Sequence, residues 1–290
     1  MSETLTFAPL ASRALIAVSG PDWRGFLQGL ITQDVETLAP SEARFGALLT
    51  PQGRLLYDLF AVGQEGGCWL DVEAQHRAAL IQRLTMYRLR AKVEIEADET
   101  PVSALFPAHR REGGDPGGDP EWTPTSEFVA DPRLPDLGWR GYGAAQPEGA
   151  RLADEAAYLA HALALGVPAP PDWGSDRTYP IEANFDLLHG IDFKKGCFVG
   201  QETTSRMKRR GQVKSRMLPV AFDGPSLAAG AEVLAGDLRA GVVTSAGEGR
   251  AMALLRLDRA LGQPLTADGR PVTVEPPAWL RAVLSSSSRP

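Results

Sequence analysis

The sequence predicts an α+β chain in several parts that ends in a small antiparallel β-barrel, and three observations carry that expectation. Between residues 44 and 96 the apolar pattern reads strand, strand, strand, helix, strand, which suits a mixed module and not the strict alternation of a doubly wound sheet. From residue 216 onward, short strand-like runs are separated by turn pairs at Gly236-Asp237 and Asp268-Gly269, as in a barrel. With 290 residues, 43% of them apolar, the chain can bury one large core or two or three compact modules.

Residues 14–18 form a short apolar run ended by Ser19-Gly20-Pro21, a strand entering a turn. Behind Asp22 as N-cap, Trp23, Phe26, Leu27 and Leu30 recur at the spacing of an amphipathic helix. Residues 44–49 and 54–62 are strands joined by Thr50-Pro51-Gln52-Gly53, where Pro and Gly supply the turn dihedrals, and residues 68–72 extend them into a meander. Residues 75–88 place Ala79, Leu80, Leu84 and Tyr87 among helix formers, and residues 91–96 alternate as a strand. The Gly-Gly-Asp-Pro pieces within residues 110–125 hold too little apolar surface to pack and read as a mobile loop. A helix over residues 151–165 is closed by Gly166 and Pro168, and its His161 reads as a satisfied or exposed histidine and not a catalytic one. Strands follow at 217–222, 232–234, 241–245, 251–257 and 272–274, and residues 285–290 are a polar tail expected to be disordered.

A net charge of −6 argues against a generic nucleic-acid binder. Cys68 and Cys197 form no CxxC and no zinc-type spacing, so neither a disulfide framework nor a structural metal site is expected. No basic-then-apolar leader and no apolar run of membrane-spanning length is seen, which leads to the expectation of a soluble cytoplasmic protein without a membrane partner.

The least ordinary stretch is Lys194-Lys195-Gly196-Cys197-Phe198-Val199-Gly200-Gln201-Glu202, which has neither a helical nor a strand period. Flanking ammonium groups favour a thiolate at Cys197, while the competing reading is a buried inert thiol. Just upstream, in Pro180-Ile181-Glu182-Ala183-Asn184, a carboxylate precedes an apolar turn. A buried carboxylate there can accept two N–H bonds side by side, or can serve as a cap or ion-pair partner. Arg206, Lys208, Arg209, Arg210, Lys214 and Arg216 form a basic run, which suits a solvated face, a carboxylate-bearing ligand, RNA or an acidic protein surface.

The run from Lys195 to Glu202 resembles the KGC-aromatic-x-GQE signature of the YgfZ-type folate-binding proteins, relatives of the glycine-cleavage T-protein (aminomethyltransferase), with Phe198 where many members carry Tyr. Other family-like segments flank it in order: FLQGLITQD at 26–34, LTPQGRLLYD at 49–58 and PIEAN at 180–184. The resemblance implies a T-protein-like multi-domain fold. Residues 1–45 with 126–212 would form a discontinuous folate-binding module, 46–125 an inserted α+β module and 213–284 the barrel. It implies tetrahydrofolate or a derivative as cofactor, with Glu182 on the pterin edge and Asp34, Tyr57, Asp58 and Asn184 around it. Cys197 is implied as the reactive group, with Lys195 stabilising its thiolate and Glu202 ordering a loop that includes Gly196, Phe198, Gly200 and Gln201. Arg206, Arg209 and Arg210 would hold the anionic folate tail. The chain departs from the T-protein at Gln33, which replaces the Asn of its Thr-Asn-Asp, and at Tyr57, which replaces one of two adjacent aspartates beside the folate.

The function implied is a tetrahydrofolate-binding factor acting in assembly or repair of iron–sulfur clusters in client enzymes, tRNA-modifying ones among them. Its partners would be iron–sulfur client or assembly proteins, not nucleic acid. A lone cysteine does not hold a cluster, so contact with one requires further ligands from a partner. Two other readings stay open: a folate-dependent aminomethyltransferase working with a lipoyl carrier protein, and a thiol-redox or RNA-interaction module. The first would have to work without the acid that Tyr57 replaces, and the T-protein does not need the signature cysteine.

Overall fold

A computed structural model of the chain describes residues 4–107, 125–211 and 213–287. In chain order the elements begin with β1 (Leu5–Pro9), β2 (Arg13–Ser19), α1 (Trp23–Gln28), β3 (Ala43–Leu49), β4 (Leu55–Gln64), β5 (Gly67–Glu73), α2 (Arg77–Arg88) and β6 (Glu94–Asp98). Then come β7 (Val102–Pro107), β8 (Phe128–Ala130), β9 (Trp139–Tyr142), β10 (Arg151–Leu152), α3 (Glu155–Ala164), α4 (Pro170–Trp173) and α5 (Gln201–Arg210). The C-terminal part holds β11 (Ser215–Phe222), β12 (Glu232–Ala235), β13 (Leu238–Ala246), β14 (Arg250–Arg256), α6 (Leu257–Ala260), β15 (Leu265–Ala267), β16 (Arg270–Val274) and α7 (Ala278–Ser287).

Strands β3-β4-β5-β2-β6 make one sheet, β10-β1-β7-β9-β8 a second, and β11-β14-β13-β12-β15-β16 a closed barrel. The first sheet is covered on both faces, which follows from the period of two along its strands. Leu48, Leu59, Ala61, Leu70 and Val72 join Trp23 and Leu27 of α1 and Leu80 and Leu84 of α2 in one core. Phe45, Ala47, Phe60 and Val62 point the other way, into a core shared with the second sheet, α3 and the turn at residues 179–190. A chain of buried ion pairs joins the two sheets across this core. Asp71 on β5 accepts from Arg13 Nε at 2.7 Å, from Arg140 Nε and Nη2 at 2.9 and 2.5 Å, and from the Tyr142 hydroxyl at 3.1 Å. Arg140 also lies 3.9 Å over the Phe60 ring.

Several expectations are corrected. Asp22 makes no side-chain cap on α1; its Oδ2 accepts instead from Lys92 N at 2.8 Å. The helix expected over 151–165 starts at Glu155, because Asp154 caps it through Ala157 N at 3.0 Å and Arg151–Leu152 pairs in parallel with β1. The polar tail is helical as far as Ser287, since α7 packs Leu280 and Leu284 into the barrel core. The expected module boundary at residue 45 falls inside β3, and β2 shares a sheet with β3–β6 by pairing with both β5 and β6. The mobile loop expected at 110–125 falls, but for Thr125, outside the described residues. His161 is buried, with Nε2 2.8 Å from Asp136 O and its ring stacked on Phe106.

Candidate functional site

The segments singled out in the sequence converge on the loop that carries Cys197. Gly200 ends the loop in the left-handed region (φ +81) as the N-cap of α5. It meets Gly53 (φ +85) at the end of the Thr50-Pro51-Gln52-Gly53 turn so closely that a Cβ on Gly200 would lie 2.6 Å from Thr50 O and 3.0 Å from Gly53 Cα. Neither position accommodates a side chain. On the other flank, Val199 N donates to Gly29 O at 3.2 Å, Asp192 N to Thr32 O at 3.0 Å and Thr32 Oγ1 to Gly190 O at 2.6 Å. Asp192 Oδ1 accepts from Lys194 N and Lys195 N at 2.7 and 3.2 Å, an Asx turn that starts the loop.

Lys195 faces inward. Its ammonium donates to Ile31 O and Gln33 O, both at 2.7 Å, and burial lowers its pKa to about 8 against the pull of Asp34 and Asp192. It therefore straps the loop to residues 31–33, where the resemblance had it stabilising the thiolate. Cys197 is exposed, while Phe198 beside it is buried under the loop. Gly196 has nothing within 4 Å of an added Cβ. Gln201 and Glu202 open α5, and exposed Glu202 suits the positive end of the helix without hydrogen-bonding any described residue. Cys68, buried in the core above α1, has its thiol pushed up to about 12 by burial.

The candidate folate residues do not share one wall. Asp34 is held by Gln28 Nε2 at 2.7 Å, Thr37 Oγ1 at 2.9 Å and Arg44 Nη1 at 2.9 Å. Burial works against its charge, but these bonds and Arg44 hold its carboxyl below the ordinary range. Tyr57 and Asp58 are adjacent on β4 and so face opposite sides of the sheet. Tyr57 packs towards α2 with its ring on His76, and Asp58 turns to the other core, paired with Arg13 at 2.9 Å and lining a cavity of about 50 Å³ with Arg133, Arg140 and Tyr158. Asn184 is fully buried at φ +62, donating to Met217 O at 2.8 Å and accepting from Arg216 Nη1 at 3.0 Å. Half-buried Glu182 closes its own turn by accepting from Tyr179 N through Oε2 at 3.0 Å. Its Oε1 has no hydrogen bond from a described residue, and burial pushes the carboxyl up.

Of the basic run, Arg206 and Arg209 are exposed on α5 and Arg210 is its last residue. Arg216 is the exception: it is buried and ion-paired to Asp186 at 2.9 Å, fixing the turn at 179–190 to the barrel. Sequence reasoning overlooked Thr32 and Asp192, the residues that shape the loop. Asp192 had a legible signal, an Asx residue two positions before the first loop lysine.

Comparisons with known proteins agree with this architecture. Residues 214–282 match the family model described as CAF17, C-terminal beta-barrel domain. The glycine cleavage system aminomethyltransferase T from Bartonella henselae superposes with a TM-score of 0.75 at 18% identity, covering 96% of this chain and 87% of that one, which shows a shared fold. Iron-sulfur cluster assembly factor IBA57, mitochondrial, from Homo sapiens is 32% identical over 235 residues, 74% of this chain and 66% of that protein. The Neurospora crassa homologue is 34% identical over 72% of this chain and 52% of its own length. The chain thus spans about half to two thirds of the curated relatives it matches. These relatives are named as mitochondrial, which overturns the expectation of a cytoplasmic protein. Among the described residues no helix is long and apolar enough to cross a membrane. With 31% identity to the Mus musculus factor over 67% of that protein and 76% of this chain, the chain belongs to the IBA57 iron–sulfur cluster assembly factor family.

Proposed function

We propose that this chain acts in iron–sulfur cluster assembly by lending the Cys197 thiolate to a cluster whose other ligands a partner protein holds. The observation that carries the reading is the setting of Cys197: an exposed thiol on a loop fixed from both flanks. Among the described residues, no group of three His, Cys, Asp or Glu side chains could hold a metal ion. Clusters are ordinarily held by four cysteines, so one thiol supplies one ligand and the arrangement is a shared one. The relatives' names support the iron–sulfur assignment. The YgfZ-type likeness of the signature adds tRNA-modifying enzymes to the clients.

We also propose tetrahydrofolate or a derivative as the bound small molecule, with Glu182 as its anchor. The support is a half-buried carboxylate, raised by burial, whose Oε1 is free to accept one N–H of a pterin edge while Oε2, already accepting from Tyr179 N, has a second lone pair for the other. Such a group supplies a one-carbon carrier when bound. Asp34 and Asn184, whose polar atoms are already engaged, shape the surroundings and do not contact it in this reading. Aminomethyl transfer rests on likeness of fold alone.

Complementation of a strain lacking its own factor tests both parts, with Cys197→Ala and Glu182→Ala side by side and tetrahydrofolate titrated into the purified proteins. Loss of client cluster activity with Cys197→Ala is expected, and full rescue removes the thiol from the function. Glu182→Ala is expected to weaken folate binding at least tenfold. Unchanged affinity refutes the anchor.

A further inference from the structure

Charge in this chain is sharply segregated. Residues 194–216 hold eight Lys and Arg and a single acid, Glu202, a net +7 within a chain of −6, which leaves −13 on everything else. Two of those cations are spent internally, Lys195 on the carbonyls of Ile31 and Gln33 and Arg216 on Asp186. Lys194, Arg206, Lys208, Arg209 and Lys214 are exposed. Lys208 has a loose contact with Asp186 at 3.7 Å, and Lys194, Arg206, Arg209 and Lys214 make no ion pair with a described residue. Beside them lies an open depression of about 520 Å³ lined by Phe193, Gln201, Glu202, Ser205, Lys208 and Arg209.

We propose that this basic face of α5, with the depression at Phe193, is the docking surface for an acidic patch on the protein that supplies the remaining cluster ligands. The proposal rests on the reading of Cys197 given above and names the chemistry of its partner. Four observations favour an acidic protein surface. Uncompensated cations attract an anionic face while the −13 elsewhere repels it, so an acidic partner is oriented onto this patch and away from the rest of the surface. The patch is compact, since α5 spans only about 15 Å at 1.5 Å per residue. An extended nucleic acid would run off it onto the −13 remainder, whereas an acidic protein face of similar size would not. The helix α5 that carries the patch also begins four residues beyond Cys197, so a partner seated on it brings its own ligands to that thiol. Phe193, half-buried at the edge of the depression with the Lys208 ammonium 5.2 Å over its ring, gives the partner an apolar foothold.

A photo-crosslinking residue in place of Ser205, in cells lacking their own factor, reports what sits on this face. The expected product is a protein adduct whose crosslinked peptide is rich in Asp and Glu. Arg206→Glu with Arg209→Glu should cut its yield about tenfold or more, in line with the sensitivity of association to charges facing a partner. The milder pair Arg206→Gln and Arg209→Gln should cut it less, and Lys in place of the partner's acids should restore the yield with the Glu pair. An RNA adduct, a folate adduct, a neutral or basic peptide, no adduct, or indifference to charge reversal would each overturn the proposal. Cys197→Ala separates the two readings. An acidic adduct together with full rescue by Cys197→Ala defeats the thiol reading and leaves the docking face. An RNA adduct together with failed rescue does the opposite.

Discussion

Replacing Gly200 by alanine perturbs the joint on which the Cys197 loop turns. The residue sits at φ +81, where an L side chain costs roughly 1–2 kcal/mol. The new Cβ would stand 2.6 Å from Thr50 O and 3.0 Å from Gly53 Cα and Leu49 Cβ. Thr50 O cannot simply withdraw, because it accepts from Gly53 N at 2.8 Å and closes the turn. Overpacking of this kind adds about 1–3 kcal/mol, so the whole substitution should destabilise by about 2–5 kcal/mol. Gly196→Ala, four residues away in the same loop with open space around its Cβ, should stay within about 0.5 kcal/mol of wild type. Urea unfolding of the two variants under identical conditions measures the difference, and rescue of client activity should fall with Gly200→Ala alone. Equal stability of the two variants would refute the claim that Gly53 and Gly200 lock the signature loop to the Thr50-Pro51-Gln52-Gly53 turn.

Two further outcomes follow from the same geometry. Lys195→Met leaves the carbonyls of Ile31 and Gln33 without their donor and should cost about 2 kcal/mol in urea unfolding, while the alkylation rate of exposed Cys197 at pH 7 stays within about twofold. Because burial lowers the folded pKa of Lys195 to about 8 from 10.5, the folded chain binds fewer protons than the unfolded one between those values. This group therefore makes stability rise with pH across that window, a rise that Lys195→Met should abolish. Asp71→Asn leaves Arg13 with Asp58 alone and Arg140 with only the more distant Asp131, 3.9 Å away, and should cost about 3–5 kcal/mol. Burial opposes the Asp71 charge, but Arg13 and Arg140 hold its pKa below the ordinary 3.8, so its contribution is present above that value and lost as pH falls below it. Acid unfolding of Asp71→Asn should accordingly be less steep than that of wild type below about pH 4.

What could be read from the sequence was whatever is encoded within a few residues. The meander of β3, β4 and β5 follows from alternating apolar runs around Thr50-Pro51-Gln52-Gly53, and most barrel strands from short runs between Gly and Asp turns. β15, three residues long, carried too little pattern to be seen. The aperiodic Lys194 to Glu202 stretch was legible as a site for the same reason, since neither a helix nor a strand explains it. Tertiary structure alone decided the direction of the charges. Lys195 and Ile31 are 164 residues apart, Arg140 and Asp71 are 69, and Arg216 and Asp186 are 30, and nothing local distinguishes these buried cations from the exposed Arg206 and Arg209. The physical reason is that a hydrogen-bonding period is a property of neighbours, whereas burial of a charge depends on which distant carbonyl or carboxylate the fold brings within 3 Å of it.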